Sequence, residues 1–321
     1  MDPTATSAQR VPGSEPARAL GAVVEIAQDI KLSHSVFALP FAVLGAAWAG
    51  VEGGVARGQF ALSLSLVVGC MVSARSAAML ANRILDREID ARNPRTAGRA
   101  IPAGRLALAT AVRWYALLAL LFVACCALFG ALQGNWWPLA LSLPVLAWVS
   151  LYGLVKRFSM LCHLWLGVGL AISPVAAALA VHPAAALHAA PWLMAGLVAC
   201  WVAGFDILYA MQDLEVDRRD GLHSIPSRLG PAGAAWTARA LHVAALALLV
   251  ALWRTVPAFG AGFGAAVALT VVVIVGEHVL LATGGAPRFA KHFTTLNGCI
   301  SLAIGAAGTA SLWMHATAAG G

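Results

Sequence analysis

Two short acidic stretches hold the side chains of this sequence that are best suited to chemistry. The first reads Asp86-Arg-Glu-Ile-Asp90 and the second reads Asp213-Leu-Glu-Val-Asp217, so both follow the pattern Asp-x-Glu-aliphatic-Asp. Together with Asp206 and Asp220 they contain more than half of the 14 acidic residues in the chain. Carboxylates one helical turn apart repel each other and destabilise a helix, so we expect a cation beside them. Magnesium is the natural candidate because it binds carboxylate and phosphate oxygens.

The spacing of the polar residues places each acidic stretch on one face of a helix. Side chains three, four or seven residues apart share a helical face. Two sets of polar residues at these separations end at Asp90 and at Asp217. If the two faces are opposed, they enclose an oxygen-lined cavity that is open to water. The first set is Arg75, Asn82, Asp86 and Asp90, and the second set is Asp206, Tyr209, Asp213 and Asp217.

The composition indicates that a membrane surrounds these helices. Hydrophobic residues make up 60% of the 321 positions, charged residues only 11%, and the mean hydropathy is +0.81. Soluble domains carry about 25% charged residues. Hydrophobic runs of around 20 residues, long enough to cross the hydrocarbon core of a bilayer, recur along the chain. We predict an all-α polytopic membrane protein with nine transmembrane helices in one bundle and with cytoplasmic cap loops. The predicted spans are 34–51, 59–81, 106–131, 135–154, 161–181, 191–212, 232–253, 259–282 and 293–314.

The distribution of basic residues predicts which side of the membrane each loop faces. Most of the 21 Lys and Arg residues lie in the N-terminal tail and in alternate loops, whereas the opposite loops contribute only Arg57 and Arg254. The positive-inside rule therefore puts the N-terminus and both acidic stretches on the cytoplasmic side. Because the basic residues are explained by topology, we expect no nucleic-acid partner.

The two ends of the chain are predicted to lie outside the helical bundle. Residues 1–19 contain Pro, Ser and Thr without an apolar core, which is typical of a disordered tail and not of a signal peptide. Residues 20–316 form a single transmembrane domain, and residues 317–321 form a short C-terminal tail. The 6 cysteines include no Cys-x-x-Cys pair, which favours a packing role for them.

Three further residues have both a functional and a structural interpretation. Asp206 and Arg75 lie inside hydrophobic runs, where an ionisable group is costly and marks function by default. The alternative is that they pair with each other or with a backbone carbonyl. Lys156 lies one turn after Tyr152 and either binds phosphate or anchors the helix at the lipid headgroups.

Three motifs resemble those of a known family. They are Asn82-Arg-x-x-Asp86-x-x-x-Asp90, Tyr209-Ala-Met-Gln-Asp213-x-x-x-Asp217 and Tyr152-x-x-x-Lys156-Arg157. In these motifs the chain resembles the UbiA superfamily of intramembrane prenyltransferases, and within it the 4-hydroxybenzoate polyprenyltransferases. The resemblance extends from Lys31 through the ninth predicted span.

The resemblance implies an enzyme, an aromatic polyprenyltransferase. Such an enzyme transfers a polyprenyl group from polyprenyl diphosphate to a small aromatic acid, with two magnesium ions bound beside the diphosphate. It further implies an integral protein of a bacterial-type cytoplasmic (inner) membrane, with its active site toward the cytoplasm. The implied metal ligands are Asn82, Asp86, Asp90, Asp213 and Asp217. The implied substrate-binding residues are Lys31, Arg75, Asn82, Tyr152, Lys156, Arg157 and Tyr209, of which Arg75, Lys156 and Arg157 contact the diphosphate.

The identity of the aromatic acceptor has two interpretations. One is 4-hydroxybenzoate, in respiratory quinone (ubiquinone) biosynthesis. However, the first span begins with Lys31-Leu-Ser-His34, where the ubiquinone branch tends to have a basic residue followed by Asp-Lys-Pro. The stretches Gly204-Phe-Asp206 and Gly221-Leu-His-Ser-Ile-Pro226 resemble a branch of futalosine-route menaquinone synthesis, whose acceptor is a dihydroxynaphthoate. Both acceptors stay open at this point.

The chemistry of such a transfer fits the residues without the family name. Metal ions and basic groups stabilise a departing diphosphate, and a cavity within the bilayer shields the allylic cation from water. An electron-rich phenol ring then attacks, and a carboxylate takes the ring proton. Asp206 is the candidate base or acceptor-positioning group, and Asp86 and Asp213 are the other candidate catalytic residues.

Two other classes of membrane protein also use intramembrane acids. A cation-coupled transporter would carry them near the bilayer midplane, often on broken helices, whereas here they lie at helix ends on one side. A CDP-alcohol phosphotransferase would need Asp-Gly and Ala-Arg elements before its acidic motif, and this sequence lacks them. Both alternatives are less favoured than a prenyltransferase.

Overall fold

The computed structural model describes residues 25–26 and 37–319, and these residues form helices and short turns without a strand. The α-helices, in chain order, are α1 (Leu39–Glu52), α2 (Arg57–Arg92), α3 (Leu108–Gln133), α4 (Trp137–Val155), α5 (Cys162–Val181), α6 (Ala189–Ala210), α7 (Leu214–Arg219), α8 (Ile225–Thr255) and α9 (Ala261–Ala319). Two 3₁₀ turns, Pro183–Leu187 and Met211–Asp213, lie on either side of α6.

Seven helices in the described part of the chain are long and apolar enough to cross a membrane, with α6 and α7 counted together. Helix α1 is shorter, at 14 residues. The eighth and ninth predicted spans are the two arms of α9, which bends where Gly285 has a φ of 67° just before Pro287. The all-helical prediction is confirmed, whereas the nine crossings and the cytoplasmic N-terminus stay predictions.

Two helix boundaries matter for the acidic stretches. Helix α2 continues without interruption from Arg57 to Arg92, as the sequence predicts, and so carries the whole first acidic stretch. The second stretch differs from the prediction, since the 3₁₀ turn Met211–Asp213 separates α6 from α7. The predicted tail at 1–19 and the start of the first span at 34–36 lie outside the described residues, and α9 extends to Ala319.

Helix α6 lies at the centre of the bundle. Its side chains Trp201, Ile207 and Leu208 are at most 1% exposed. Helix α5 packs closely against α6, because a side chain at Gly167 would collide with the carbonyl oxygen of Ala199. Small residues allow this approach in membrane proteins. The close packing holds Asp206 at a defined position opposite α2 and α5.

A cavity of about 790 Å³ lies between helices α2 to α6. One end holds both acidic stretches, and the other end reaches Ala186 and Trp192 between apolar walls. Trp148 of α4 and Trp165 of α5 form part of the wall, with their rings stacked at 3.7 Å. Each indole N–H donates to the other residue's carbonyl oxygen, at 3.2 and 3.1 Å. The cavity is therefore polar at one end and apolar along the rest of its length.

Candidate active site

Asp86 lies at the centre of the first acidic stretch, and only 2% of its side chain is exposed. Its Oδ2 accepts hydrogen bonds from the Asn82 amide at 2.9 Å and from Lys156 Nζ at 2.6 Å. Arg157 lies 3.6 Å from Oδ1, yet this buried oxygen accepts no hydrogen bond from any described residue. An ionised carboxylate accepts about four hydrogen bonds. Oδ1 is therefore available to a further cation or donor.

The loop after α2 connects the two acidic stretches. Arg95 donates to Asp213 through Nε at 2.8 Å and through its terminal nitrogen at 2.5 Å, and the Asn93 amide donates to the same carboxylate at 3.0 Å. Arg99 donates to both oxygens of Asp90 at 2.7 Å. These charge-assisted bonds are the strong class of hydrogen bond. The two stretches therefore meet in one site, as their same-side placement predicts.

Arg95 is held as a cation by this arrangement. Burial lowers the pKa of its guanidinium, but the hydrogen bonds and the charge of Asp213 outweigh burial and raise the pKa overall. The guanidinium also lies 5.8 Å from the centre of the Tyr209 ring, within cation–π range. Arg95 is thus a permanent positive charge at the mouth of the cavity.

Asp217 is positioned by the start of α8. Ser224, the N-cap of α8, forms a capping box with Ser227 and donates its hydroxyl to Asp217 Oδ2 at 2.7 Å. A capping box satisfies backbone N–H groups that a helix start leaves without partners. Asp213 and Asp217 both line the cavity. The predicted common face of the second set therefore survives the break between α6 and α7.

The site has the donors for a hard metal ion, although it is closed by ion pairs. No three His, Cys, Asp or Glu side chains in the described ranges come close enough together to hold a metal ion. Instead, Lys156, Arg95 and Arg99 each hold one carboxylate. The donor set of carboxylate and amide oxygens suits magnesium, which uses few protein ligands and completes its shell with substrate phosphates. The free Oδ1 of Asp86 fits such an ion.

Asp206, Tyr152, Tyr209 and Arg75 also line the cavity. Asp206 does not pair with Arg75. Its Oδ2 lies 2.7 Å from Nδ1 of His163, the second residue of α5. One terminal nitrogen of Arg75 is buried and makes no hydrogen bond with any described residue. Arg75 is therefore a cation inside the cavity with an N–H group that can donate to a ligand.

The remaining predicted residues lie at the edge of the site or outside the described chain. Arg157 is 42% exposed and donates to the carbonyl oxygen of Leu85 at 2.5 Å, so it lies at the rim. Lys31 falls outside the described residues. Glu88 and Glu215, the glutamates in the middle of the two stretches, are exposed to solvent.

The structure also adds residues that the sequence reasoning missed. His163, Ser224 and Gly153 contact Asp206, Asp217 and Asn82 respectively. His163 had one available signal, because it opens a span on the same predicted side as the acidic stretches. No signal in the sequence marked Gly153, because its importance depends on how closely α4 approaches α2.

Comparison with known proteins decides the family. The sequence model of the UbiA prenyltransferase family matches residues 38–283, which is most of the chain. The chain belongs to the UbiA prenyltransferase family. The resemblance inferred from the three motifs is thereby confirmed. The chain is an integral membrane prenyltransferase.

Curated relatives match part of the UbiA-family chain. The 4-hydroxybenzoate octaprenyltransferase of Paracidovorax citrulli is 31% identical over 206 residues, covering 57% of this chain and 67% of the relative. The enzyme of the same name from Psychrobacter arcticus is 29% identical over 197 residues, covering 61% and 62%. The match thus spans about two thirds of the length of these relatives.

Solved structures share the fold over nearly their whole length. A UbiA homolog from Aeropyrum pernix K1, solved in its apo form, is 34% identical with a TM-score of 0.75 and covers 85% of this chain and 96% of its own. A UbiA homolog from Archaeoglobus fulgidus, solved with DMAPP and Mg2+, has a TM-score of 0.68 and covers 91% and 99%. The second is only 16% identical, so that likeness concerns the fold alone.

Proposed function

We propose that the UbiA-family chain transfers a polyprenyl group from a polyprenyl diphosphate to an aromatic acid, with magnesium ions at the two acidic stretches. The observation that carries the proposal is Oδ1 of Asp86, which accepts no hydrogen bond from a described residue and lies near Arg157 at the polar end of a long apolar cavity. Homologs of this fold have been solved with prenyl diphosphates and Mg2+. A diphosphate at the polar end with its tail along the apolar walls matches the character of the cavity.

We assign the charged residues at the polar end of the cavity to the magnesium ions and the diphosphate. Asn82, Asp86, Asp90, Asp213 and Asp217 would hold two magnesium ions, which supply positive charge against the leaving diphosphate. Lys156 and Arg95 would turn from the carboxylates to the phosphate oxygens, and Arg157 would cover them from the rim. The cations neutralise the charge that develops as the bond breaks, which lowers the barrier to ionisation.

Arg75 is better assigned to the acceptor than to the diphosphate. It precedes Asp86 by eleven residues on the same helix, or about 16 Å along the axis. Arg75 therefore lies farther into the membrane than a diphosphate held at Asp86. Its buried nitrogen without a hydrogen-bond partner suits the carboxylate of an aromatic acid, since guanidinium and carboxylate form paired hydrogen bonds. Tyr152 and Tyr209 line the same cavity and would contact the ring.

The transfer then balances as an aromatic substitution. The bond between the allylic carbon and the diphosphate oxygen breaks, and its electron pair leaves with the diphosphate. A π pair of the ring forms the new carbon–carbon bond. The ring carbon then loses its proton to a carboxylate. Asp206 is our candidate for that carboxylate because its side chain is 27% exposed within the cavity.

We propose 4-hydroxybenzoate as the acceptor, and nine crossings of a bacterial-type inner membrane with the active site toward the cytoplasm. The acceptor is supported by the names of the curated relatives, and the topology by the positive-inside rule. A dihydroxynaphthoate is the alternative acceptor. Membranes offered a polyprenyl diphosphate with each acid in turn would distinguish the two by the labelled product. Reporter fusions to each loop test the orientation.

Substitution of the aspartates tests the proposed metal site. We expect Asp86→Ala and Asp213→Ala to reduce prenyl transfer by at least about 100-fold, as the loss of leaving-group stabilisation does elsewhere, while membrane insertion is retained. Glu88→Ala and Glu215→Ala are matched controls, because they remove exposed acids from the same stretches. Transfer should also require added magnesium. Near-normal turnover of either aspartate variant would contradict the metal assignment.

A further inference from the structure

His163 is a buried histidine whose position depends on three parts of the fold. It lies in the first turn of α5 and is 3% exposed. Its Nδ1 lies 2.7 Å from Asp206 Oδ2 on α6, and its Nε2 lies 3.4 Å from the backbone N–H of Ile225 at the start of α8. The ring therefore bridges α6 and α8 from α5.

The contact with Ile225 determines which ring nitrogen carries the proton. A backbone N–H can only donate, so Nε2 must be the acceptor and carries no hydrogen in this arrangement. A neutral imidazole then has its hydrogen on Nδ1, which donates to Asp206. His163 therefore holds Oδ2 of Asp206 and fixes the orientation of the carboxylate.

The second oxygen of Asp206 is left for chemistry. Oδ1 receives no hydrogen bond from any residue in the described ranges, although the side chain lines the cavity. In the related arrangement of serine hydrolases, a carboxylate and a histidine orient one another, and loss of the orientation costs several orders of magnitude in rate. Here the order is reversed, because the histidine orients the carboxylate.

We propose that His163 is a positioning residue for the deprotonation step, which it serves by orienting Asp206 toward the ring carbon that accepts the prenyl group. The inference rests on the proposed function and deepens it. The proton leaves the ring carbon for Asp206 Oδ1, and its bonding pair restores the aromatic ring. His163 keeps its own proton throughout and acts only through Asp206.

Two substitutions separate orientation from packing. His163→Phe keeps an aromatic ring but has no donor, and His163→Asn places an amide N–H near the former position of Nδ1. With unlabelled acceptor we expect the Phe variant to lower kcat by about 100-fold, a typical contribution of a positioned base. We expect the Asn variant to stay within about tenfold of the wild type, because it restores the donor.

A kinetic isotope effect supplies a readout that packing alone does not change. The acceptor is deuterated at the ring carbons beside its hydroxyl group, and kcat is compared with that for the unlabelled acceptor. We expect no isotope effect in the wild type and a clear one in His163→Phe, since proton removal then limits turnover. The KM for the polyprenyl diphosphate and the magnesium requirement should not change, because neither hydrogen bond of His163 is to a proposed metal ligand.

Several outcomes would overturn the proposal. Ile225 follows Ser224, which binds Asp217, so the alternative role for His163 is to hold that loop. A raised KM for the polyprenyl diphosphate without an isotope effect in His163→Phe would mean that His163 acts by holding the loop. Unchanged kcat in this variant would equally refute a role in deprotonation. In an Asp206→Asn background His163→Phe should have no further effect, because residues that act as a unit are non-additive. Absence of transfer by the wild type with any aromatic acceptor would instead refute the proposed function.

Discussion

Gly153 of α4 lies close to Asn82 and Asp86 of α2. A Cβ added there would lie 2.5 Å from the Asn82 amide nitrogen and 3.8 Å from Asp86 Oδ2. Ordinary contacts begin at about 3.4 Å, so Gly153→Ala forces a displacement of about 0.9 Å between α4 and Asn82. Asn82 donates to Asp86 at 2.9 Å, and we expect this displacement to break the hydrogen bond.

The size of the effect follows from three contributions. Overpacking costs about 1–3 kcal/mol, and loss of a donor to the buried Asp86 costs about 1–3 kcal/mol. The better helix propensity of Ala returns about 1 kcal/mol. We therefore expect a net loss of stability of about 1–5 kcal/mol. A shift of this size in a catalytic group lowers turnover by about 100-fold.

The assay compares purified Gly153→Ala with Gly169→Ala as a matched control. Gly169 lies on α5 beside the same cavity, and its added Cβ would lie 3.6 Å from the Trp148 ring, an ordinary contact. We expect the control to keep its transfer rate and its Tm. Gly153→Ala should lower both the transfer rate and the Tm. In an Asn82→Ala background, Gly153→Ala should cause little further loss of stability, because the colliding amide is then absent. If Gly153→Ala matched Gly169→Ala in rate and Tm, the result would falsify this account of the contact.

Two further predictions concern ion pairs and buried amides. Arg95→Gln removes the paired donors of Asp213, and we expect transfer to fall by at least about tenfold with a raised donor KM; Arg87→Gln, which alters an exposed pair, should not change either quantity. Asn297→Ala removes the donor to Glu277, a carboxyl with no exposed surface. We expect it to destabilise the protein by about 1–3 kcal/mol in thermal unfolding, whereas an unchanged Tm would mean that Glu277 needs no donor.

Much of the candidate site could be predicted from local sequence pattern. The run of apolar residues predicts helices, and the spacing from Asn82 to Asp90 predicts a shared face, because a helix repeats every 3.6 residues. The uninterrupted α2 bears this out. The charge of the loops predicts that both acidic stretches lie on one side, and Arg95 connects them there. These features depend on neighbours within a few residues or on composition, which the sequence contains directly.

Contacts between helices could be decided only by the tertiary structure. Lys156 meets Asp86 across 70 positions of the chain, and His163 meets Asp206 across 43. Such pairs depend on how far each helix is rotated and how closely it approaches its neighbour, which is set by side-chain packing along the whole interface. The acidic pattern by itself therefore determined where the charges lie and on which face. The packing of α2, α4, α5 and α6 decided which cations hold them, which carboxylate oxygen is left free and where the apolar cavity runs.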